Sequence, residues 1–130
     1  MKNVLITGAT GGIGQSLVRI FYSNGYTICA TGTNDQKLSS LEHMYSERLK
    51  AIKCDLSDNA QIDELIDETN KFYGTTNILI NNACITNDNL FLRMKEDEWT
   101  SVLNINLNST VLLTQKIIKG MIKRKSGRIL

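Results

Sequence analysis

The sequence predicts an α/β fold built on a parallel sheet. Short apolar runs rich in β-branched residues alternate with longer stretches of helical spacing along the 130 residues. The first run passes directly into a glycine-rich turn, and a helical pattern begins inside that turn. Apolar runs without polar alternation are typical of strands that are covered on both faces. Strands that alternate with helices in this way require right-handed crossovers and a doubly wound parallel sheet.

The first strand is predicted at residues 2–7, and a glycine-rich turn follows it. Gly8, Gly12 and Gly14 lie in this turn, and a helix is predicted from Gly12 to Asn24, ahead of Gly25. Its predicted apolar stripe consists of Ile13, Leu17, Val18, Ile20 and Phe21. Free N–H groups at a helix start attract anions, and glycine allows a pyrophosphate to approach the backbone. The turn predicts an anion site, and the alternative is a tight turn that binds nothing.

The second strand is predicted at residues 27–31, and the residues after it bear on cofactor choice. An acid at such a strand end often binds the adenosine 2′-hydroxyl. Here Gly32, Thr33 and Asn34 follow the strand, and Asp35 comes one position too late. This leaves room for a 2′-phosphate with Thr33 as a donor, while Gly11 occupies the position of a possible cation. We therefore favour NADP over NAD and keep NAD as the alternative.

Two further helices and a third strand are predicted in the middle of the chain. A helix at 35–46 carries His43, which we interpret as a solvated side chain, and a strand follows at 49–54. Ser57 or Asp58 caps the next helix, and Gln61 is placed to form a capping box with Asp58. That helix ends at Gly74, and its predicted buried stripe consists of Ile62, Leu65, Ile66, Thr69 and Phe72.

The fourth strand is predicted at 77–80 and leads into polar amides. Asn81 and Asn82 follow this strand at its carboxyl end, where open α/β sheets bind ligands. A loop at 85–95 then leads to one long helix at 96–125, whose apolar face Asn106 interrupts. That face consists of Trp99, Val102, Leu103, Leu107, Leu113, Ile117 and Met121. Residues 127–130 predict the opening of a fifth strand.

Composition and charge exclude several classes of protein. A net charge of +2 is too small to favour nucleic acid. Cys29, Cys54 and Cys84 form no C-x-x-C pair and are interpreted as reduced core thiols, and no metal site is predicted. The absence of a signal peptide or spanning stretch predicts a cytoplasmic protein without a membrane partner.

Two motifs together resemble the short-chain dehydrogenase/reductase family. Residues 7–14 (TGATGGIG) match its T-G-x-x-x-G-x-G motif, and residues 81–84 (NNAC) are similar to its N-N-A-G motif. Residues 82–90, 93–95, Trp99 and 121–129 further resemble the 3-oxoacyl-acyl-carrier-protein reductases of fatty-acid synthesis. The resemblance implies that residues 1–130 are an incomplete Rossmann dinucleotide-binding domain, truncated after the start of the fifth strand.

The resemblance also implies a role for each matched residue. The residues that would bind NADPH are Gly8, Ala9, Thr10, Gly11, Gly12, Ile13, Gly14, Thr33, Asp55, Leu56, Asn82, Ala83 and Cys84. Within this set, the turn would hold the pyrophosphate and Thr33 the 2′-phosphate. Asp55 and Leu56 would hold the adenine, and residues 82–84 would line the ribose. Asn106 would support a water relay behind the family's catalytic lysine. Lys123, Arg124 and Lys125 would dock an acidic acyl carrier protein, or else form a solvated helix end.

Three departures from the family pattern limit the expected activity. Cys84 and Gly11 replace a glycine and an arginine of the family, and no tyrosine of this sequence is followed four residues later by lysine. We expect the 130 residues to bind cofactor without reducing a carbonyl. The preferred hypothesis is the NADPH-binding half of a homo-oligomeric 3-oxoacyl-carrier-protein reductase. The alternatives are a non-catalytic nucleotide-binding or decoy module and a fragment of another short-chain carbonyl reductase.

Overall fold

A computed structural model describes residues 2–130 and shows five parallel strands in one sheet. The strands are β1 (Asn3–Ile6), β2 (Thr27–Gly32), β3 (Leu49–Lys53), β4 (Ile78–Ile80) and β5 (Arg128–Ile129). Their order is β3-β2-β1-β4-β5, so the chain reverses its direction of progress between β1 and β4. Such a reversal opens a crevice at the carboxyl ends of the strands. The predicted α/β fold with a doubly wound parallel sheet is confirmed.

Helices cover both faces of the sheet. They are α1 (Gly12–Ser23), α2 (Asp35–Met44), α3 (Asn59–Tyr73), α4 (Glu96–Leu103) and α5 (Ser109–Arg124). One face packs on α1 and α2 through a core that includes Val4, Ile6 and Val18. The other face packs on α3 and α5 through a core that includes Leu5 and Leu79. Because successive strand residues point to opposite faces, the uninterrupted run 4–6 supplies both cores.

The helix ends follow from local chemistry, with one exception at Gln61. Gly25 and Gly74 have φ values of +80° and +83°, which favour glycine after α1 and α3. Asp58 caps α3 by accepting a hydrogen bond from the Ala60 N–H at 2.9 Å. The capping box predicted for Gln61 is wrong, because its Oε1 accepts from the Asp55 N–H at 2.8 Å instead. Gln61 thereby connects the helix start to the loop that follows β3.

Three side chains of α1 and α3 that the sequence predicts to face the core are exposed instead. Ile13 and Ile20 on α1 are 72% and 53% exposed, because the buried strip of this helix is narrow and centres on Val18. Phe72 at the end of α3 is also exposed, and Tyr73 turns inward in its place. His43 is exposed on α2, as predicted.

The long helix predicted at 96–125 is interrupted by a π-helical turn at Asn104–Asn108. A π turn inserts a residue and rotates the helix faces relative to each other. Leu113, Ile117 and Met121 on α5 are therefore buried, whereas Trp99 on α4 is 51% exposed. Leu103 and Leu107, also predicted on the apolar face, are exposed as well. A separate 3₁₀ turn, Phe91–Arg93, lies in the loop before α4.

Candidate functional site

The carboxyl ends of β1 to β4 border a cavity of about 430 Å³. All residues that the sequence predicts to bind the cofactor line this cavity except Ala9, which is buried in the core. Five further residues line the cavity that the sequence motifs do not indicate: Thr31, Gly32, Cys54, Ile85 and Ile105. Thr31 and Gly32 end β2 and Cys54 directly follows β3, so their position at the carboxyl ends of the strands was a usable signal. Ile85 and Ile105 approach the cavity only through tertiary packing.

Glycines in the turn after β1 serve two different structural purposes. Gly8 has a φ of +61°, and a Cβ there would lie 2.8 Å from the Ala83 Cα. A Cβ at Gly14 would overlap the Gly8 carbonyl oxygen, so these two glycines allow close packing. Gly12 has no atom within 4 Å of such a Cβ, and Gly11 has only the Gly8 carbonyl oxygen at 3.6 Å. Gly11 and Gly12 therefore line the cavity without a side chain that would fill it.

The start of α1 presents free N–H groups to this cavity. No side chain caps the helix at Gly11, and the first helical hydrogen bond runs from the Gln15 N–H to the Gly11 carbonyl at 2.9 Å. The N–H groups of Gly12, Ile13 and Gly14 have no intrahelical acceptor, and all three residues line the cavity. Together with the positive end of the helix dipole, they form a site for a phosphate or pyrophosphate. The residues present thus fit the anionic part of a dinucleotide.

Thr7 and Asn82 fix the glycine turn against the end of β4. The Thr7 hydroxyl is buried and accepts hydrogen bonds from the N–H groups of Asn82 and Ala83 at 3.1 and 3.0 Å. The Asn82 side-chain amide donates to the carbonyls of Thr7 and Gly8, both at 3.1 Å. The sequence motif predicts Asn82 as a ribose contact and gives no role to Thr7. The structure shows that both residues position the turn.

Asp55 lies at the cavity edge after β3 and carries a stabilised negative charge. Its Oδ1 accepts hydrogen bonds from the Ser57 hydroxyl at 2.7 Å and from the Ser57 N–H at 2.9 Å. These bonds hold the pKa of the Asp55 carboxyl below its ordinary value. Asp55 is therefore an ionised hydrogen-bond acceptor at neutral pH, next to Leu56 on the same wall.

The three thiols differ in environment, which corrects the prediction that all three are core residues. Cys29 and Cys54 are buried, and burial raises the pKa of each thiol to about 11. Cys84 is exposed and lines the cavity, because it lies beyond the end of β4 and outside the sheet. Cys84 is therefore the accessible thiol among the described residues.

Asn106 and the basic end of α5 are both engaged in hydrogen bonds. The half-buried Asn106 side chain in the π turn bonds to the backbone of Ile85, a cavity residue. Arg124 donates to the Thr76 carbonyl at 2.8 Å, which ties its guanidinium to the loop before β4. Lys125 ends the helix in a left-handed conformation, with a φ of +51°. Lys123 and Lys125 are exposed.

The described residues 2–130 contain neither a candidate metal cluster nor a helix able to span a membrane. No cluster of three or more His, Cys, Asp or Glu side chains is arranged to hold a metal ion in this part of the chain. No helix formed by these residues is both long enough and apolar enough to span a membrane.

Comparison with known proteins places the chain among short chain dehydrogenases. The model of that family matches residues 2–130. The chain is 33% identical over 129 residues to the 3-oxoacyl-[acyl-carrier-protein] reductase FabG of Vibrio harveyi, covering 99% of this chain and 53% of the relative. It is 34% identical, with the same coverage, to Nodulation protein G of Rhizobium sp. strain N33.

A solved structure of a short-chain dehydrogenase is also similar to nearly the whole chain. The crystal structure of a short-chain dehydrogenase from Streptomyces avermitilis superposes with a TM-score of 0.93 at 28% identity. The match covers 98% of this chain and 47% of that one. The chain thus spans about half the length of the curated relatives and of the solved structure that it matches.

Proposed function

Because the chain belongs to the short-chain dehydrogenase family, we propose that residues 1–130 form the NADPH-binding half of a 3-oxoacyl-acyl-carrier-protein reductase. The observation that carries the proposal is the glycine turn, where three free N–H groups and a helix start face a cavity of about 430 Å³. A cavity of this kind at the carboxyl edge of a parallel sheet suits a dinucleotide. When bound, the nicotinamide would supply the hydride for carbonyl reduction.

The lining residues divide by the part of the cofactor that they would contact. The N–H groups of Gly12 to Gly14 would bind the pyrophosphate, and Gly11 would leave space beside it. Thr33, which is exposed after β2, would donate to the 2′-phosphate. The ionised Asp55, with Leu56 beside it, would accept from the adenine amino group and cover the ring. Ala83 and Cys84 would line the ribose.

Surface features support the proposed partners. Lys123 and Lys125 would contact an acidic carrier protein, while Arg124, tied to Thr76, would position the end of α5. Trp99, Leu107 and Val111 expose apolar side chains along α4, the π turn and α5. Such a surface suits a contact with another copy in a homo-oligomer or with a further part of the enzyme.

A second candidate, a non-catalytic nucleotide-binding module, is favoured by the tyrosines of the chain. None of Tyr22, Tyr26, Tyr45 and Tyr73 precedes a lysine by four residues. Tyr73 is partly buried, and burial raises the pKa of its hydroxyl. A proton donor for carbonyl reduction needs a depressed pKa and access to the substrate. The 130 residues would then bind the dinucleotide without turnover. A fragment of another short-chain carbonyl reductase remains the third candidate, with the same cofactor site and a different substrate.

Titration of the 130-residue chain with NADPH and NADH, followed by nicotinamide fluorescence, tests the cofactor site. We expect saturable binding of the dinucleotide by the wild-type chain. Gly12→Asp should abolish it, because a carboxylate beside the free N–H groups would repel the pyrophosphate. Ser16→Asp, at an exposed position one turn later on α1, is the matched control and should bind normally. If the wild-type chain binds neither dinucleotide, or if Gly12→Asp binds as well as wild type, the proposed cofactor site is wrong.

A turnover assay with an acetoacetyl thioester separates the candidate functions. We expect no NADPH oxidation by the 130-residue chain alone. Activity restored by adding the carboxyl-terminal half of a FabG relative would support the reductase hypothesis. Cofactor binding without restored activity would favour the non-catalytic module.

A further inference from the structure

An exposed ion pair at the tip of β2 and β3 stands beside the proposed adenosine end of the cavity. The Lys53 Nζ lies 2.7 Å from the Asp35 Oδ2. Lys53 ends β3 and is in register with Gly32 of β2, while Asp35 is the first residue of α2. Cys54, which directly follows Lys53, lines the cavity, and so do Gly32 and Thr33, which come three and two residues before Asp35. The pair therefore lies at the rim of the site.

We propose that Lys53, held at the rim by Asp35, is the cation that lets this site accept a 2′-phosphate. The inference rests on the proposed function, because it requires a dinucleotide in the cavity. The sequence suggested that the site lacks a cation, since Gly11 stands where a family arginine would be. In the structure a lysine at the end of β3 lies beside Gly32 and Cys54, which line the cavity.

The geometry also explains how Asp35 is tolerated there. An unpaired carboxylate near the end of β2 would repel a 2′-phosphate and favour the free ribose hydroxyls of NADH. Lys53 compensates this charge at 2.7 Å, and its ammonium group retains further hydrogen-bond donors. Asn34 caps α2 by accepting from the Lys37 N–H at 2.9 Å, which holds the adjacent turn in place. The ion pair of Lys53 and Asp35 thus favours NADPH over NADH at this site.

Strand alternation supplies an internal control for this proposal. Lys50 lies on the same strand, but its side chain points to the opposite face and pairs with Glu68 of α3 at 2.8 Å. Lys50→Met removes the same charge and leaves the same aliphatic stem as Lys53→Met. If the two variants differ in cofactor preference, the difference therefore comes from the position of Lys53 at the rim, and not from the change in net charge.

The test measures dissociation constants of NADPH and NADH by fluorescence titration for wild type, Lys53→Met, Lys53→Arg, Lys50→Met and Asp35→Asn. We expect Lys53→Met to lower the preference for NADPH over NADH by about five- to tenfold, a size set by a partly screened charge-assisted contact. Asp35→Asn should raise that preference, whereas Lys53→Arg and Lys50→Met should leave it within about twofold of wild type.

Unchanged preference in both Lys53→Met and Asp35→Asn would overturn this inference while leaving the proposed function intact. An equal loss of preference in Lys50→Met would also overturn it, because the effect would then be one of net charge. Failure of the wild-type chain to bind either dinucleotide would instead remove the proposed function, and the inference with it. Should Lys53→Met fail to fold, Asp35→Asn alone tests the inference. A rise in its preference for NADPH over NADH would support the inference, and no rise would overturn it.

Discussion

The Asn106 side chain bonds both backbone groups of Ile85, although the two residues are 21 positions apart. Asn106 Oδ1 accepts from the Ile85 N–H at 2.8 Å, and its Nδ2 donates to the Ile85 carbonyl at 2.9 Å. The π turn presents the amide to the loop after β4, and Thr110 and Ser109 return hydroxyl hydrogen bonds to carbonyls of that turn. Ile85 lines the cavity, so Asn106 positions the cavity wall. The water relay that the resemblance implies remains a prediction.

Asn106→Asp should loosen this wall, because a carboxylate keeps the acceptor but loses the donor to the Ile85 carbonyl. We expect a loss of about 1–3 kcal/mol in the free energy of unfolding. Hydrogen exchange at the Ile85 amide should also become faster. Asn108→Asp, at an exposed position in the same turn, is the control and should leave that exchange rate unchanged. Equal exchange at Ile85 in both variants would show that the contact does not restrain the loop.

Gly14→Ala should destabilise the fold, whereas Gly12→Ala should not. A methyl group at Gly14 would overlap the Gly8 carbonyl oxygen and approach the Ala9 backbone, so the turn must shift. We expect a loss of about 1–3 kcal/mol in urea unfolding, as is usual for overpacking. Gly12→Ala has open space and should be neutral or stabilising by up to about 1 kcal/mol. Equal midpoints for the two variants would contradict the observed packing of the turn.

Gly11→Arg should strengthen binding of NADPH more than binding of NADH. A side chain fits at this position, because the Cβ would contact only the Gly8 carbonyl oxygen at 3.6 Å. A well-formed charge-assisted hydrogen bond to the 2′-phosphate contributes about 1.5–3 kcal/mol. Gly11→Gln adds a long side chain without charge and serves as the control in the same titration. If arginine and glutamine give the same ratio of affinities, the 2′-phosphate does not lie beside this turn.

Cys84 should be the thiol that iodoacetamide modifies in the folded chain. Cys29 and Cys54 are buried with a pKa of about 11, so little thiolate is present and almost none of either side chain is accessible. We expect mass spectrometry to find one rapid modification, at Cys84, and two further ones after unfolding. NADPH should slow the first modification, because Cys84 lines the proposed ribose site. Cys84→Ser controls for site identity, and rapid native labelling of that variant would contradict the assignment.

Glu68 should contribute stability that is lost in acid. Hydrogen bonds and charge from Lys50 and Lys71 lower the pKa of its carboxyl from 4.5 to about 2 in the folded chain. A depressed pKa adds stability above the unfolded value near 4.5, and this contribution disappears as the pH falls towards 2. Glu68→Gln should therefore flatten the dependence of unfolding free energy on pH in this window. Glu64→Gln, exposed on the same helix, should leave that dependence as steep as in wild type.

Local patterns in the sequence determined the elements and the outline of the site. The apolar runs predicted the strands because buried parallel strands need no polar alternation. Gly25, Gly74 and Asp58 predicted helix ends because their conformational or capping preferences act over a few residues. The turn from Gly8 to Gly14 predicted an anion site, because free N–H groups at a helix start follow from backbone geometry alone.

Tertiary structure alone decided which way several side chains point. Asn82 bonds to the turn after β1, Asn106 to Ile85, and Lys53 to Asp35, and each contact joins segments far apart in sequence. The π turn moved Trp99 and Leu107 off the buried face, because one inserted residue rotates a helix by an amount that periodicity does not reveal. Short-range preferences set the secondary structure, whereas the pairing of distant strands and loops decides which polar groups meet at the cavity.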